Sequence, residues 1–465
     1  MQDKQQQRSS NSAPGMSRVE RRASVSLAAI MATRMLGLFM ILPIFALYAE
    51  SLPDASPILI GMAIGIYGLT QALLQIPFGM ASDKFGRRRM ITLGLVLFAL
   101  GSVAAATADS LAGIILGRAL QGAGAVAAVI MALTADLTRE EHRTKAMAII
   151  GMSIGGAFTL ALVIGPLLNS WIGVSGIFWF TAVLALLAIV ILWTQVPQPV
   201  QSHMHHDAQL DPGLTWGVLK DSQLLRLDAG IFILHTILTA TFIVVPFVLR
   251  DSLGIDSGQH SWVYLPVLLL SAGAMVPFII IAEKKRKMKQ IFVLAVTTLG
   301  ITLFAMSQWY THTVAFFALL WLFFTAFNFL EASLPSLVSK TAHAARKGTA
   351  MGVYSSSQFM GAFVGGSAGG WLYGEHGISG VFVCCALLII VWWLLAVTMR
   401  APSYLANIVM PVKDLDATQA TELAAKLESV TGVVEAVVII EENEAYLKVD
   451  NRLLDRKAVS QLIEL

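Results

Sequence analysis

The sequence predicts an all-α membrane protein of twelve transmembrane helices in two six-helix bundles, followed by a small α+β ferredoxin-like domain. Three observations carry this. Of the 465 residues, 56% are hydrophobic and only 13% are charged, roughly half the charged share of a soluble domain. The apolar runs are long and continuous. That suits helices, which satisfy their own backbone in hydrocarbon, and it lacks the alternation of a barrel strand. From about residue 403 the chain turns polar and acidic, with the spacing of a folded soluble unit.

Residues 1–24 are polar, with Gln5, Gln6, Gln7, Arg18, Arg21 and Arg22, and read as an N-terminal segment outside the bilayer. The first apolar run is long and carries Arg34. A cleaved signal has a short apolar core, so this run is expected to stay as the first span. About 20 apolar residues cross a bilayer. On that measure the spans are 25–48, 57–81, 88–108, 111–136, 144–169 and 173–195, then 226–250, 259–283, 290–307, 311–337, 347–372 and 377–399. They form an N-terminal bundle over 25–195 and a C-terminal bundle over 226–399. The polar stretch 196–225, with Pro197, Pro199, His203, His205, His206 and Pro212, is the linker between them. Its histidines fit a flexible connection better than a metal site.

The loops after spans 2, 4, 8 and 10 hold Lys84, Arg87, Arg88, Arg89, Arg139, Arg143, Lys145, Lys284, Lys285, Arg286, Lys287, Lys289, Lys340, Arg346 and Lys347. The loops after the odd spans hold Arg250 alone. Cationic loops stay inside, so both termini and the linker are expected in the cytoplasm. Cys384 and Cys385 are adjacent in an apolar run and read as small apolar filler.

Residues 403–465 carry six cations and eleven anions, net −5, leaving +8 for the rest. An acidic unit does not suit nucleic acid or anionic lipid. A strand at 408–412, a helix at 417–431 stopped by Gly432, strands at 433–440 and 445–449 and a helix at 455–464 give β-α-β-β-α, a ferredoxin-like order without its last strand. Heavy-metal-associated domains resemble this outline, but they place paired thiols after the first strand. Here that loop is Lys413-Asp414-Leu415-Asp416, so no metal is expected there.

The most specific signal is Gly79-Met80-Ala81-Ser82-Asp83-Lys84-Phe85-Gly86-Arg87-Arg88-Arg89, a charged turn between two spans. It resembles motif A of the major facilitator superfamily of secondary transporters. That resemblance implies a switch made of Gly79, Asp83, Gly86, Arg87, Arg88 and Asp136. Asp83 would face the start of span 11 near Lys347-Gly348-Thr349, and the cluster would lock the outward-facing state. Leu116-Gly117-Arg118-Ala119-Leu120-Gln121-Gly122 resembles motif B, whose arginine is associated with proton coupling; a structural role between spans is the alternative. Gly151, Gly155, Gly156, Gly165 and Pro166 resemble the motif C of drug/proton antiporters in degraded form, and tight helix packing explains them equally well. Leu36-Gly37 and Leu42-Pro43 resemble motif D. Further runs around Ile66–Gly79 and Lys347–Ser355, together with the acidic tail, extend the likeness over nearly the whole chain.

An ionisable group inside a span is a functional site by default. Arg34, His235 and Glu331 fall at similar depths, counted at about 1.5 Å per residue. Glu331 and His235 are the expected proton sites, with Arg34 pairing to Glu331. A static charge pair anchoring helices is the alternative. Tyr67, Gln71, Gln75 and Asn328 are expected in the same cavity. The chain has no phosphate-binding Gly-x-x-x-x-Gly-Lys-Ser/Thr loop and no nucleophile–base pair, so neither ATP drive nor enzyme activity is expected, nor any cofactor. The expected function is proton-coupled export of a small molecule by alternating access, as a monomer in a bacterial inner membrane. A nutrient symporter and a non-transporting sensor that reports through the C-terminal domain are the rivals.

Overall fold

The computed structural model describes residues 15–198, 212–343, 346–401, 406–412, 415–440, 443–450 and 453–464. Linker residues Pro199, His203, His205 and His206, and Lys413 and Asp414 of the first-strand loop, lie outside the described residues.

Ten helices among the described residues are long and apolar enough to span a membrane. Two are double length, Glu140–Gln195 and Lys347–Thr398, and each folds back at one glycine, Gly173 (φ 67°) and Gly377 (φ 65°). Only glycine takes that backbone without strain. The two hairpins make twelve spanning segments, and they fall at the same place in each half. Exposed tryptophans mark two levels. Trp171, Trp179, Trp262, Trp309 and Trp371 sit towards one end of the spans, and Trp193, Trp216 and Trp393 towards the other. That is the pattern of side chains at two water–lipid interfaces.

Three expected elements differ in detail. Span 1 starts at Arg18 rather than residue 25, because Ser17 and Glu20 close a capping box on its first turn, worth about 1 kcal/mol. It stops at Phe39 and resumes as Phe45–Ala49. Pro43 lies in the gap, lacks an N–H and disfavours helix at the residue before it. Span 4 is also broken, into Leu111–Ala123 and Ala127–Asp136. There Gly124 presses on span 3, and a Cβ on it would lie 2.2 Å from the Gly94 carbonyl oxygen. The linker is not wholly irregular, since it contains the helix Pro212–Leu219.

The basic loops all lie at one end, here termed the basic end. At the opposite end the bundles close on each other. A Cβ on Gly61 of span 2 would lie 2.1 Å from the Gly366 carbonyl oxygen of span 11, and one on Gly370 would lie 2.2 Å from that of Pro57. Bare glycine backbones are what let these two helices touch. Ser261 of span 8 donates to the Val163 carbonyl of span 5 at 2.7 Å. Towards the basic end the bundles part around one large cavity.

The C-terminal domain has strands β1 (Ala406–Pro411), β2 (Val433–Ile439) and β3 (Glu444–Val449), paired antiparallel in the order β1-β3-β2. Helices Ala417–Glu428 and Arg456–Glu464 pack through Leu427 and Val459 onto Val433, Ala436, Ala445, Leu447 and Val449. The domain sits at the basic end on the second bundle. Lys448 Nζ donates to the Ala342 carbonyl at 2.8 Å, Glu435 bridges Lys448 (2.9 Å) and His343 (2.8 Å), and Arg286 pairs with Asp450 at 3.0 Å.

Candidate functional site

The motif A turn is built around Gly86 (φ 93°), which ends one helix and starts the next. Its sharp reversal brings Arg87 back against Asp83. Arg87 Nε meets Asp136 Oδ2 at 3.2 Å, and Nη1 donates to Ser82 Oγ at 2.6 Å. Ser82 in turn donates to the Gly79 carbonyl at 2.6 Å. The carboxylate–guanidinium–carboxylate cluster expected from the sequence is therefore formed, entirely within the first bundle. Asp83, Arg87 and Asp136 line the cavity mouth, as do Lys347 and Gly348 at the start of span 11. Arg88 is not part of the cluster. It faces away and caps the end of span 6, donating to the carbonyls of Leu192 (3.1 Å) and Trp193 (3.2 Å) over the Trp193 ring. It lies at the second helical position after Gly86, one residue on from Arg87, so the two side chains leave the helix on different faces.

The cavity has a volume of about 2310 Å³ and runs inward from this mouth. Both bundles line it, and β1 and β3 of the C-terminal domain contribute Val409, Tyr446 and Lys448 at the rim. Its walls are mostly apolar, with Met31, Phe39, Phe158 and Phe327 among them. Its depths hold Tyr67, Gln75, Arg118, His235, Asn328 and Glu331, six of the residues singled out from sequence. Arg34, Gln71 and Gln121 do not line it. They are buried behind the wall of the first bundle.

The expected pairing of Arg34 with Glu331 does not form. Arg34 bonds Gln71 of span 2, which donates to Gln75 at 2.9 Å. Its guanidinium lies 5.7 Å from the Tyr67 ring centre and 5.8 Å from that of Phe98. Equal depth is not proximity: Arg34 points into its own bundle. Glu331 instead accepts from Gln358 Nε2 of span 11 at 3.1 Å. Gln358 Nε2 also lies 2.9 Å from His235 Nε2, while His235 Nδ1 is 3.9 Å from Glu331 Oε2. A carboxyl, an imidazole and an amide thus share one pocket in the second bundle. Sequence reasoning missed Gln358, although a polar side chain deep in an apolar span was the signal available.

Arg118 is 1% exposed and satisfied in place. Nε donates to the Ala63 carbonyl at 3.2 Å, Nη2 to that of Ile64 at 3.1 Å, and Nη1 to Gln121 at 3.3 Å. Gln121 passes the chain on to Ser102 at 2.8 Å. This links spans 2, 3 and 4. Asn328 donates to Ser271 of span 8 at 3.1 Å. Gly155 and Gly156 do not serve helix packing in this conformer. Nothing lies within 4 Å of a Cβ built on either, because that half of span 5 faces the cavity. Gly165 does pack, with a Cβ 2.6 Å from the Met40 carbonyl oxygen at the break in span 1; Pro166 follows inside the same helix.

Comparison with known proteins agrees with this architecture. The chain matches the Major Facilitator Superfamily over residues 27–366 and 227–413, and the YajR YAM domain over 408–464. It is 45% identical over 445 residues to the inner membrane transport protein YajR of Escherichia coli (strain K12), covering 96% of this chain and 97% of that one. A bacterial homologue of the human lysosomal transporter Spinster, solved inward-facing and unoccupied, superposes with a TM-score of 0.66 at 14% identity over 83% of this chain and 98% of its own. A D-xylose–proton symporter gives 0.65 at 17% identity over 82% and 98%. The chain therefore belongs to the major facilitator superfamily, as a multi-pass inner-membrane secondary active transporter whose spanning bundles are followed by a YajR YAM domain.

Proposed function

We propose that this transporter exports a small molecule in exchange for protons, with the basic end in the cytoplasm. The observation that carries the reading is the pocket of Glu331, His235 and Gln358 at the bottom of a cavity shared by both bundles. Two titratable groups face one water-accessible volume there, and no fixed cation is paired to Glu331 among the described residues. A carboxyl with only an amide and a histidine for company can take and release a proton as the cavity changes sides. The excess of Lys and Arg at one end supports the orientation. The exchange direction rests on the likeness of the Gly151–Pro166 segment to antiporters.

On this reading the conformer described is inward-open. Span 2 meets span 11 at the far end, while the Asp83–Arg87–Asp136 cluster lines the open mouth. The cluster would engage span 11 only when the cavity shuts on that side. Inside-out vesicles with an acid lumen and a trapped pH dye test the proposal against a panel of organic compounds. A transported compound discharges the gradient in the wild type, and Glu331→Gln abolishes the discharge. Uptake that dissipates a gradient of the opposite sense makes the protein a symporter. Discharge that survives Glu331→Gln removes Glu331 as the proton site.

A further inference from the structure

At the opposite end, the sole cation of the odd-numbered loops is Arg250. It belongs neither to the cavity nor to the motif A cluster. Span 7 ends in a π-turn, Val248–Ser252, directly after the helix Ser222–Phe247, and Arg250 lies in it. Such turns are uncommon and cluster at functional positions. Its neighbour Asp251 grips the guanidinium in fork geometry, Nε to Oδ1 at 2.5 Å and Nη2 to Oδ2 at 3.0 Å. The Phe247 ring lies beneath it, 5.4 Å from ring centre to Cζ, and stacks at 5.0 Å on Tyr373 of span 11. So held, Arg250 Nη2 reaches Glu50 Oε2 at 2.9 Å. Glu50 is the terminal cap of Phe45–Ala49, the outer piece of span 1. The contact crosses from one bundle to the other.

We propose that Glu50 and Arg250 form a latch that holds the opposite end shut. Its composition repeats that of the basic end, with two carboxylates on one guanidinium. There Asp83, Arg87 and Asp136 all sit on the first bundle in this conformer. Here the group is divided, with Glu50 on the first bundle and Arg250 and Asp251 on the second. A contact can bias a two-state equilibrium only if one state makes it and the other does not. Parting spans 1 and 7 at this end breaks the Glu50 contact and leaves the Arg250–Asp251 fork intact, so the guanidinium is not stranded when the latch opens. The fork and the Phe247 ring also pre-position the arginine, which lessens the side-chain ordering that weakens exposed pairs. The pair is partly exposed, at 36% and 49%, so its bias is modest, roughly 1.5- to 5-fold in the balance of conformers. The role holds whichever ion or substrate drives the cycle.

The test uses the full chain in lipid nanodiscs, with Cys384 and Cys385 replaced by alanine. Spin labels at Ser110 and Thr311 report the separation of the two bundles at this end. Glu50→Gln and Arg250→Gln are each expected to raise the open-end population roughly 1.5- to 5-fold, and the double variant to match either single one, because the pair is broken once. Raising ionic strength should shift the parent in the same direction and leave the double variant unmoved. Single variants with the parent's distance distribution overturn the latch, and so do additive effects in the double variant. A salt response that persists in the double variant overturns it as well, by assigning the bias to other charges.

Discussion

Arg118 shows how a guanidinium is kept inside a bilayer-spanning bundle. Its three donors meet two backbone carbonyls of span 2 and the Gln121 amide, so the charge is spread over fixed dipoles and needs no counter-ion. A planar fork suits this, and an ammonium does not. Arg118→Lys is expected to forfeit at least one of these bonds, at about 1.5–3 kcal/mol each, which lowers the thermal midpoint and transport together. Arg118→Met removes the charge and the need for acceptors, so it is expected to keep more stability than transport. Thermal unfolding of the detergent-purified protein followed by tryptophan fluorescence, set beside vesicle transport, separates the two. A lysine variant as stable as the parent would show that the carbonyl contacts do not hold this arginine.

Helices were the most legible elements, and the reasons are physical. Length and apolarity define a span; the cap at Ser17 stands in a polar stretch and is not legible by that measure, so the expected start of span 1 is residue 25 rather than Arg18. Azimuth was not legible. Arg34 and Glu331 share a depth, but which face of span 1 the arginine occupies depends on packing against span 2. Gly155 and Gly156 failed as packing residues for a related reason: a conformer decides which half of span 5 is covered. Gly61, Gly366 and Gly370, which bring spans 2 and 11 together, read in the sequence as ordinary tolerated glycines. Gly61→Leu is expected to wedge spans 2 and 11 apart at the opposite end and to drive the protein towards the conformer open there. Overpacking a filled contact typically costs about 1–3 kcal/mol, enough to move the population roughly 5- to 150-fold. Spin labels at Ser110 and Thr311 read the change. An unaltered distance distribution would mean that the glycine contact accompanies closure without permitting it.

At the scale of the whole molecule, the C-terminal domain is a passenger of one bundle and a wall of the shared cavity. Its ion pairs to Arg286 and His343 and the Lys448 bond to Ala342 reach the loops after spans 8 and 10, both in the second bundle. Its rim residues Val409, Tyr446 and Lys448 face the mouth that the first bundle lines with Asp83 and Arg139. If the bundles rock as bodies, the domain must approach the first bundle when the mouth shuts, which gives its acidic surface access to the cations there. Two distances test this. A label at Ser429 is expected to keep its distance to one at Lys284 of the second bundle when Gly61→Leu shifts the conformer, and to draw closer to one at Lys84 of the first. Asp450→Asn combined with Lys448→Gln removes two anchors and is expected to broaden the Ser429–Lys284 distribution. A Ser429–Lys84 distance that stays fixed while Ser429–Lys284 changes would place the domain on the first bundle instead, and the mouth would then close beneath it rather than against it.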